Sequence, residues 1–119
     1  MTLESLRDFC LSKKGVTESM PFGETTLVFK VADKIFALTS FDDQPLSFNL
    51  KCNPEKALEL REQFPCVQPG YHMNKKHWNT VVADGSVTDR QLQEWIDHSY
   101  DLVVQSLPKA QKQQLAELE

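Results

Sequence analysis

"TTLVFKVADKIFALTSFDDQPLSFNLK", residues 25–51, decides the fold. Its first part, Thr25 to Ala32, is rich in β-branched and aromatic residues and predicts a strand. Asp33 and Lys34 make a short turn, and "IFALTSF" reads as the antiparallel return strand. "DDQP" then interrupts the pattern. "LSFNLK" alternates cleanly, with Leu46, Phe48 and Leu50 on one face and Ser47, Asn49 and Lys51 on the other. Three strands in a meander, with one face apolar, need something to cover that face.

The flanking segments supply helices. Upstream, Thr2 is placed to cap a helix that carries Glu4 in its first turn and Leu3, Leu6, Phe9 and Cys10 at helical spacings, with Gly15 as its end. Pro21 and Gly23 in "MPFGETT" then mark a loop. Downstream, "NPEKALELREQF" has a helix start with Asn53 as N-cap and Pro54 at the first helical position, and Pro65 stops it. A strand around Val67 and another from about His77 to Ala83 follow, closed by Asp84 and Gly85. The last long helix begins at Thr88, with Gln91 in the capping-box position. Leu92, Trp95, Ile96, Ser99, Val103 and Leu107 form its inner stripe. Pro108 ends or kinks it and leaves a weaker helix over 108–119. The order α-β-β-β-α-β-β-α with short connections predicts a single α+β domain, residues 1–119: a mainly antiparallel sheet with helices packed against it.

Composition agrees with one globular unit. The 119 residues are 40% hydrophobic and 25% charged, enough apolar material for a core without disulfides or metals. Cys10, Cys52 and Cys66 form no C-x-x-C pair, and their odd number fits reduced thiols rather than a disulfide framework. There is neither a signal-like start nor a run of roughly 18 apolar residues, so a cytoplasmic location and no membrane contact are expected. The net charge of -4 argues against indiscriminate nucleic-acid binding, but its distribution is uneven. Residues 25–83 carry seven basic and six acidic groups, while residues 84–119 carry three and seven. A near-neutral middle segment can present a basic face if its acids point elsewhere.

The densest chemistry lies in "PGYHMNKKHWNTV", residues 69–81. If Tyr71 to Val82 is extended, His72 and His77 point to opposite faces, which argues against a zinc site; a bulge or turn near Asn74 would reverse this, but neither Cys nor carboxylate stands at ligand spacing in the segment. A Cys66 thiolate paired with His72 or His77 would lack an identifiable orienting group. The four glycines make no phosphate-cradling motif. The expectation is therefore no catalytic residues, no metal and no cofactor. Binding is better supplied: Lys75 and Lys76 give charge, His72 and His77 give donors, and Asn74, Asn79 and Thr80 can contact phosphates or base edges. Trp78 or Tyr71 can stack on a base, and Lys30, Lys34 and Lys51 extend the surface. The plainer reading stays open as well. In it Trp78 belongs to the core, Lys75 and Lys76 form a solvated turn, and the segment buttresses the sheet against the helix of Ser99 and Tyr100.

The chain also resembles the MmcQ/YjbR family of small bacterial proteins. The resemblance rests on "PFG" at 21–23, "VFKVADKIFAL" at 28–38, "LK" at 50–51, "PGYHMNKKHWNTV" at 69–81 and "SYDLV" at 99–103; the segment after Pro108 lies outside it. It implies an α+β fold similar to secretion chaperones and the frataxin-like protein CyaY. It also implies DNA binding through a "double wing" of strands. Together these readings yield the expectation of a non-enzymatic, cytoplasmic DNA-binding protein. Its contact residues would be His72, Asn74, Lys75, Lys76, His77, Trp78, Lys30, Lys34 and Lys51. The alternative partner for the same surface is a protein carboxylate or an anionic, phosphorylated small molecule.

Overall fold

In the computed structural model, which describes residues 1–70 and 73–118, the segment 25–51 is the middle of a six-stranded antiparallel sheet. The elements in chain order are α1 (Leu3–Leu11), β1 (Val16–Ser19), β2 (Thr26–Val31), β3 (Lys34–Ser40), β4 (Ser47–Lys51), α2 (Pro54–Gln63), β5 (Val67–Pro69), β6 (Trp78–Val82), α3 (Asp89–Gln105) and α4 (Lys109–Ala116). The strand order is β1-β2-β3-β4-β6-β5, and every neighbouring pair is antiparallel. The α+β class expected from the element order is the one observed. Among the described residues no helix is long and apolar enough to cross a membrane.

The meander is one strand longer than its sequence suggests. β1, "VTES", pairs with β2 from Val16 opposite Val31 to Ser19 opposite Val28. It was missed because four half-polar residues at a sheet edge carry almost no periodic signal. α1 correspondingly ends at Leu11, with Ser12 as C-cap, rather than at Gly15. Gly15 serves a different purpose. Its φ of 74° is left-handed, and a Cβ there would lie 2.5 Å from the Leu115 side chain, so it gives α4 room to dock. The β2–β3 hairpin turns on Ala32 and Asp33, both at positive φ (50° and 64°), the backbone of a tight two-residue turn.

The helix starts follow their caps. Thr2 and Ser5 form a reciprocal capping box on α1, and the Asn53 carboxamide oxygen accepts from the Glu55 and Lys56 N–H groups. At α3 only half of the anticipated box forms: Thr88 accepts from the Gln91 N–H, while the Gln91 side chain turns to Glu94. Leu92, Trp95, Ile96, Ser99 and Val103 make the buried stripe of α3 as expected. They pack with Leu6 and Cys10 of α1 onto Phe29, Phe36, Phe48 and Leu50 of the sheet. Phe64 and Trp95 meet edge-on at 5.1 Å, as do Phe36 and Tyr100 at 5.4 Å.

Among the described residues Thr39, Asn79 and Ser99 are buried polar side chains, and Ser99 is the one of them that α3 carries into this layer. The register of β2 and β3 slips between Phe29 and Lys30, leaving Phe36 as the extra residue of a bulge. β3 and β4 pair only from Ala37 opposite Leu50 to Thr39 opposite Phe48. Extending that register puts Phe36 opposite Lys51, and Ser99 of α3, 0% exposed, fills the gap. Its Oγ donates to the Phe36 carbonyl at 2.5 Å and accepts from the Lys51 N–H at 2.9 Å. Ser99→Ala should leave both backbone groups unpaired and cost about 1–3 kcal/mol, read as a fall of several degrees in Tm; an unchanged Tm would contradict this role.

A second consequence concerns pH. Burial first, and then Lys56, hold the His98 imidazole below its ordinary 6.5, and its Nε2 accepts from the Asn53 N–H at 3.3 Å. A depressed folded value means that this contribution is complete above 6.5 and is lost as pH falls through the folded pKa. His98→Gln should therefore lose less Tm than the wild type on acidification from about pH 7 to 5.

Candidate binding face of the sheet

The helices cover one side of the sheet. Along β4, Phe48 and Leu50 are buried beneath them, while Ser47, Asn49 and Lys51 alternate to the other side. On β6, Asn79 and Val81 are buried, and Trp78, Thr80 and Val82 alternate outward. Register aligns Val28, Leu38, Asn49, Thr80 and Gln68 in a row across this open face. Thr80 Oγ1 donates to Asn49 Oδ1 within that row.

Charge is sorted between the two faces. Among the described residues, Glu18 is the one carboxylate within any strand. It is turned toward α1, where Arg7 holds it through two hydrogen bonds of 2.6 and 2.7 Å and keeps its carboxyl below the ordinary range. Many other acids, such as Glu4, Asp8, Glu59, Asp97 and Asp101, ride on the helices. Among the described residues the strand positions of the open face thus carry charge only as Lys30 and Lys51.

Charge is sorted along the face too. Strand directions bring the C-terminal ends of β2 and β4 together with the start of β3 and of β6. Lys30, Lys34, Lys51 and Trp78 therefore gather at one end of the sheet, with Lys51 directly opposite Trp78. Lys30 and Lys51 stand two strands apart, about 10 Å. The loop that leads into β6 adds Lys75 and Lys76, both exposed, and His77, half-buried. Asp33, in the β2–β3 turn, is the acid beside Lys34. The opposite end holds Glu24, Asp42 and Asp43 in the loops before β2 and after β3.

The loop departs from the extended chain expected for it. Gly70 N–H donates to the Trp78 carbonyl at 2.9 Å, and the Met73 N–H donates to Gly70 O at 3.3 Å. Asn74 Oδ1 accepts from the Lys76 N–H at 2.9 Å, and its carbonyl accepts from the N–H groups of His77 and Trp78. Residues 73–77 therefore form a turn, and side-chain parity begins only at Trp78. Asn74 was expected to contact a ligand, yet its carboxamide oxygen caps this turn. Asn79 was offered the same role but is 2% exposed and faces α2, where its Nδ2 donates to the Ala57 carbonyl. Tyr71 and His72 lie outside the described residues.

Trp78 is half-buried on the open face and points away from α3, so it does not buttress the sheet against the Ser99 helix. The core tryptophan is Trp95. What braces the loop is Arg61 of α2, which the sequence reading did not single out. Its Nε donates to Asn79 Oδ1 at 2.7 Å, and its Nη2 donates to the carbonyls of Trp78, at 3.2 Å, and Lys75. The available signal was its position four residues after buried Ala57, on the inner side of α2. Gly70 completes the brace: a Cβ there would lie 2.7 Å from Trp78 Cβ and 2.8 Å from Trp78 O.

Between this loop and the far end of the sheet runs a groove of about 700 Å³. Its floor includes Leu38, Asn49, Thr80 and Val82, with Met73 at one margin and Phe22 at the other. The thiols take no part in it. Cys10, Cys52 and Cys66 are buried, and burial pushes the Cys10 thiol up to about 12 and the Cys52 thiol upward as well.

These features define a small α+β domain that packs its long helix on one sheet face and sorts its charges along the other. A family model described as YjbR matches residues 11–102. YjbR of Escherichia coli (strain K12) is 36% identical over 118 residues, 99% of this chain and 100% of that one. YbdF of Escherichia coli O157:H7 is 38% identical over 106 residues, 89% of this chain and 87% of its own. Among solved structures, a Deinococcus radiodurans protein with a DUF419 domain matches at a TM-score of 0.92 and 40% identity, covering 97% of this chain and 88% of that one. A Pseudomonas syringae protein matches at 0.73 and 27% identity, covering 86% and 98%. The chain belongs to the MmcQ/YjbR family.

The Arg61 brace is testable without any ligand. Arg61→Ala should cost about 1–3 kcal/mol, since it strips a donor from a buried carboxamide and two carbonyls, and should speed proteolysis between residues 70 and 78. Arg61→Lys, which keeps charge without the planar fork, should recover only part of the loss.

Proposed function

We propose that this protein is a cytoplasmic, non-enzymatic DNA-binding domain that engages phosphates with the lysine-bearing end of its open sheet face. The observation that carries the proposal is the sorting of charge. Lys30 and Lys51 project from a face whose strands carry no carboxylate, while the acids that make the whole chain negative ride largely on the helices and the far loops. A net charge of -4 is thus compatible with a locally attractive field for a polyanion.

The roles divide by position. Lys75 and Lys76, exposed on a turn held from behind by Arg61, make the first phosphate contacts. Lys51 and Lys30 continue the track across the strands, while Lys34, paired with buried Val31, stands at the hairpin end on the helix side and adds charge only to that end. Trp78, directly opposite Lys51, offers an indole surface beside the charge. His77 adds a hydrogen-bond donor. Binding rather than chemistry is further supported by the thiols, whose burial disfavours the thiolate a nucleophile requires. Three buried free cysteines also suit a reducing compartment.

Two to four phosphate contacts imply that log K falls with log salt at a slope of about -2 to -4, a loss of about 16- to 250-fold between 50 and 200 mM salt. The Lys75→Ala/Lys76→Ala variant should lower affinity and flatten that slope by about 2. Fluorescence anisotropy with labelled oligonucleotides measures both. No binding near 50 mM salt, or full affinity in the double variant, would overturn the proposal.

A further inference from the structure

We propose that the groove beside the lysine end holds an unstacked base, so that the preferred ligand is single-stranded rather than duplex nucleic acid. This rests on the phosphate-binding reading above and specifies its substrate. Three observations carry it: the length of the charge pattern, the chemistry of the groove, and the aromatic side chain at its rim.

The charge pattern suits one backbone rather than two. A duplex presents a second row of phosphates across a major groove about 12 Å wide. From Lys51 to Ser47 the strand β4 advances four residues, about 14 Å. A second row placed there would meet Asp43, whose Oδ2 accepts from Ser47 Oγ at 2.7 Å, with Asp42 beside it. Like charge at that spacing repels a second backbone while leaving the first undisturbed. A single strand avoids the conflict by sending its bases, rather than phosphates, toward the acidic end.

The groove between these ends suits a base. Its volume of about 700 Å³ lies in the range of small-molecule sites. Hydroxyl and carboxamide groups from Thr26, Ser47, Asn49, Gln68 and Thr80 line it together with the apolar Leu38, Met73 and Val82. Asp43 lines it as well, and among the described residues the lining holds no cation, so it suits a flat, neutral, hydrogen-bonding ring better than a free phosphate. The bond from Thr80 Oγ1 to Asn49 Oδ1 ties the two side chains together, so the Asn49 carboxamide is held in one orientation. Phe22, 67% exposed at the groove margin, supplies a ring on which a base can stack. The lysines take the adjoining phosphates, and the two halves of the face are used by one nucleotide segment.

Anisotropy with a fluorescein-labelled dT12 strand and with a 12-base-pair duplex at about 50 mM salt tests the inference, using the wild type, Phe22→Ala and Lys75→Ala/Lys76→Ala. The single strand should bind at least about 5-fold tighter than the duplex, and Phe22→Ala should weaken the single strand at least about 5-fold while leaving the duplex unchanged. The double lysine variant should weaken both ligands. Because Phe22 is largely exposed, its replacement leaves the core intact, and an unchanged Tm verifies this. Equal or tighter duplex binding, with no effect of Phe22→Ala, would overturn the single-strand inference and leave the lysine-end reading standing. Failure of both ligands to bind would overturn the reading itself and this inference with it.

Discussion

The hydroxyl of Ser99 is the contact on which the working face depends. A bulge in β3 pushes Phe36 out of register, and the sheet would otherwise open between Phe36 and Lys51. Ser99 closes that opening from the helix side by taking both backbone groups. In a largely apolar layer an unpaired carbonyl or N–H would be costly, and the serine hydroxyl satisfies both. Its effect passes through the sheet: it holds the end of β4, where Lys51 pairs with Trp78 of β6. The lysine end therefore has the rigidity of the core beneath it.

The second constraint is electrostatic. Strands alternate their side chains between two faces, and helices turn only one side inward, so a chain can be acidic overall and still keep one surface free of acid. Here the single strand carboxylate among the described residues, Glu18, faces α1 and is neutralised there by Arg7. What remains on the open side is a graded face: lysines at one end, a polar groove in the middle that Asp43 lines on its far side, and further loop carboxylates beyond it. A face of that kind favours an elongated ligand with a charged edge and a flat, polar interior side, which is the shape of an unstacked nucleic-acid strand.

Much of this was readable from the residues because their local preferences agree with the final packing. Leu46, Phe48 and Leu50 alternate because β4 is covered on one side only. Asn53–Pro54 and Thr88 announce helices that form where they should, and the stripe from Leu92 to Val103 marks the face of α3 that is buried. The unread parts are those where side chains bond to backbone or where one atom too many would collide. Alternation along 73–77 holds only for an extended chain, and Asn74 bends this part by capping its own turn, an outcome the sequence allows but does not select. Asn79 was counted as a surface amide because nothing local reveals that Arg61 lies 2.7 Å away across eighteen residues of chain. Gly70 gives no periodic signal, although only a residue without Cβ fits against Trp78. The lysines themselves were easy to list, but their gathering at one end follows from strand order, which alternation alone does not supply.

An NMR titration of ¹⁵N-labelled protein with a short single-stranded oligonucleotide addresses the central claim most directly, because it reports where contact occurs rather than whether it occurs. Amide shifts should move in β2, β4, β6 and the 73–77 turn, while those along the outer sides of α1 and α3 stay in place. Shifts concentrated on the helices, with the open face undisturbed, would contradict that claim.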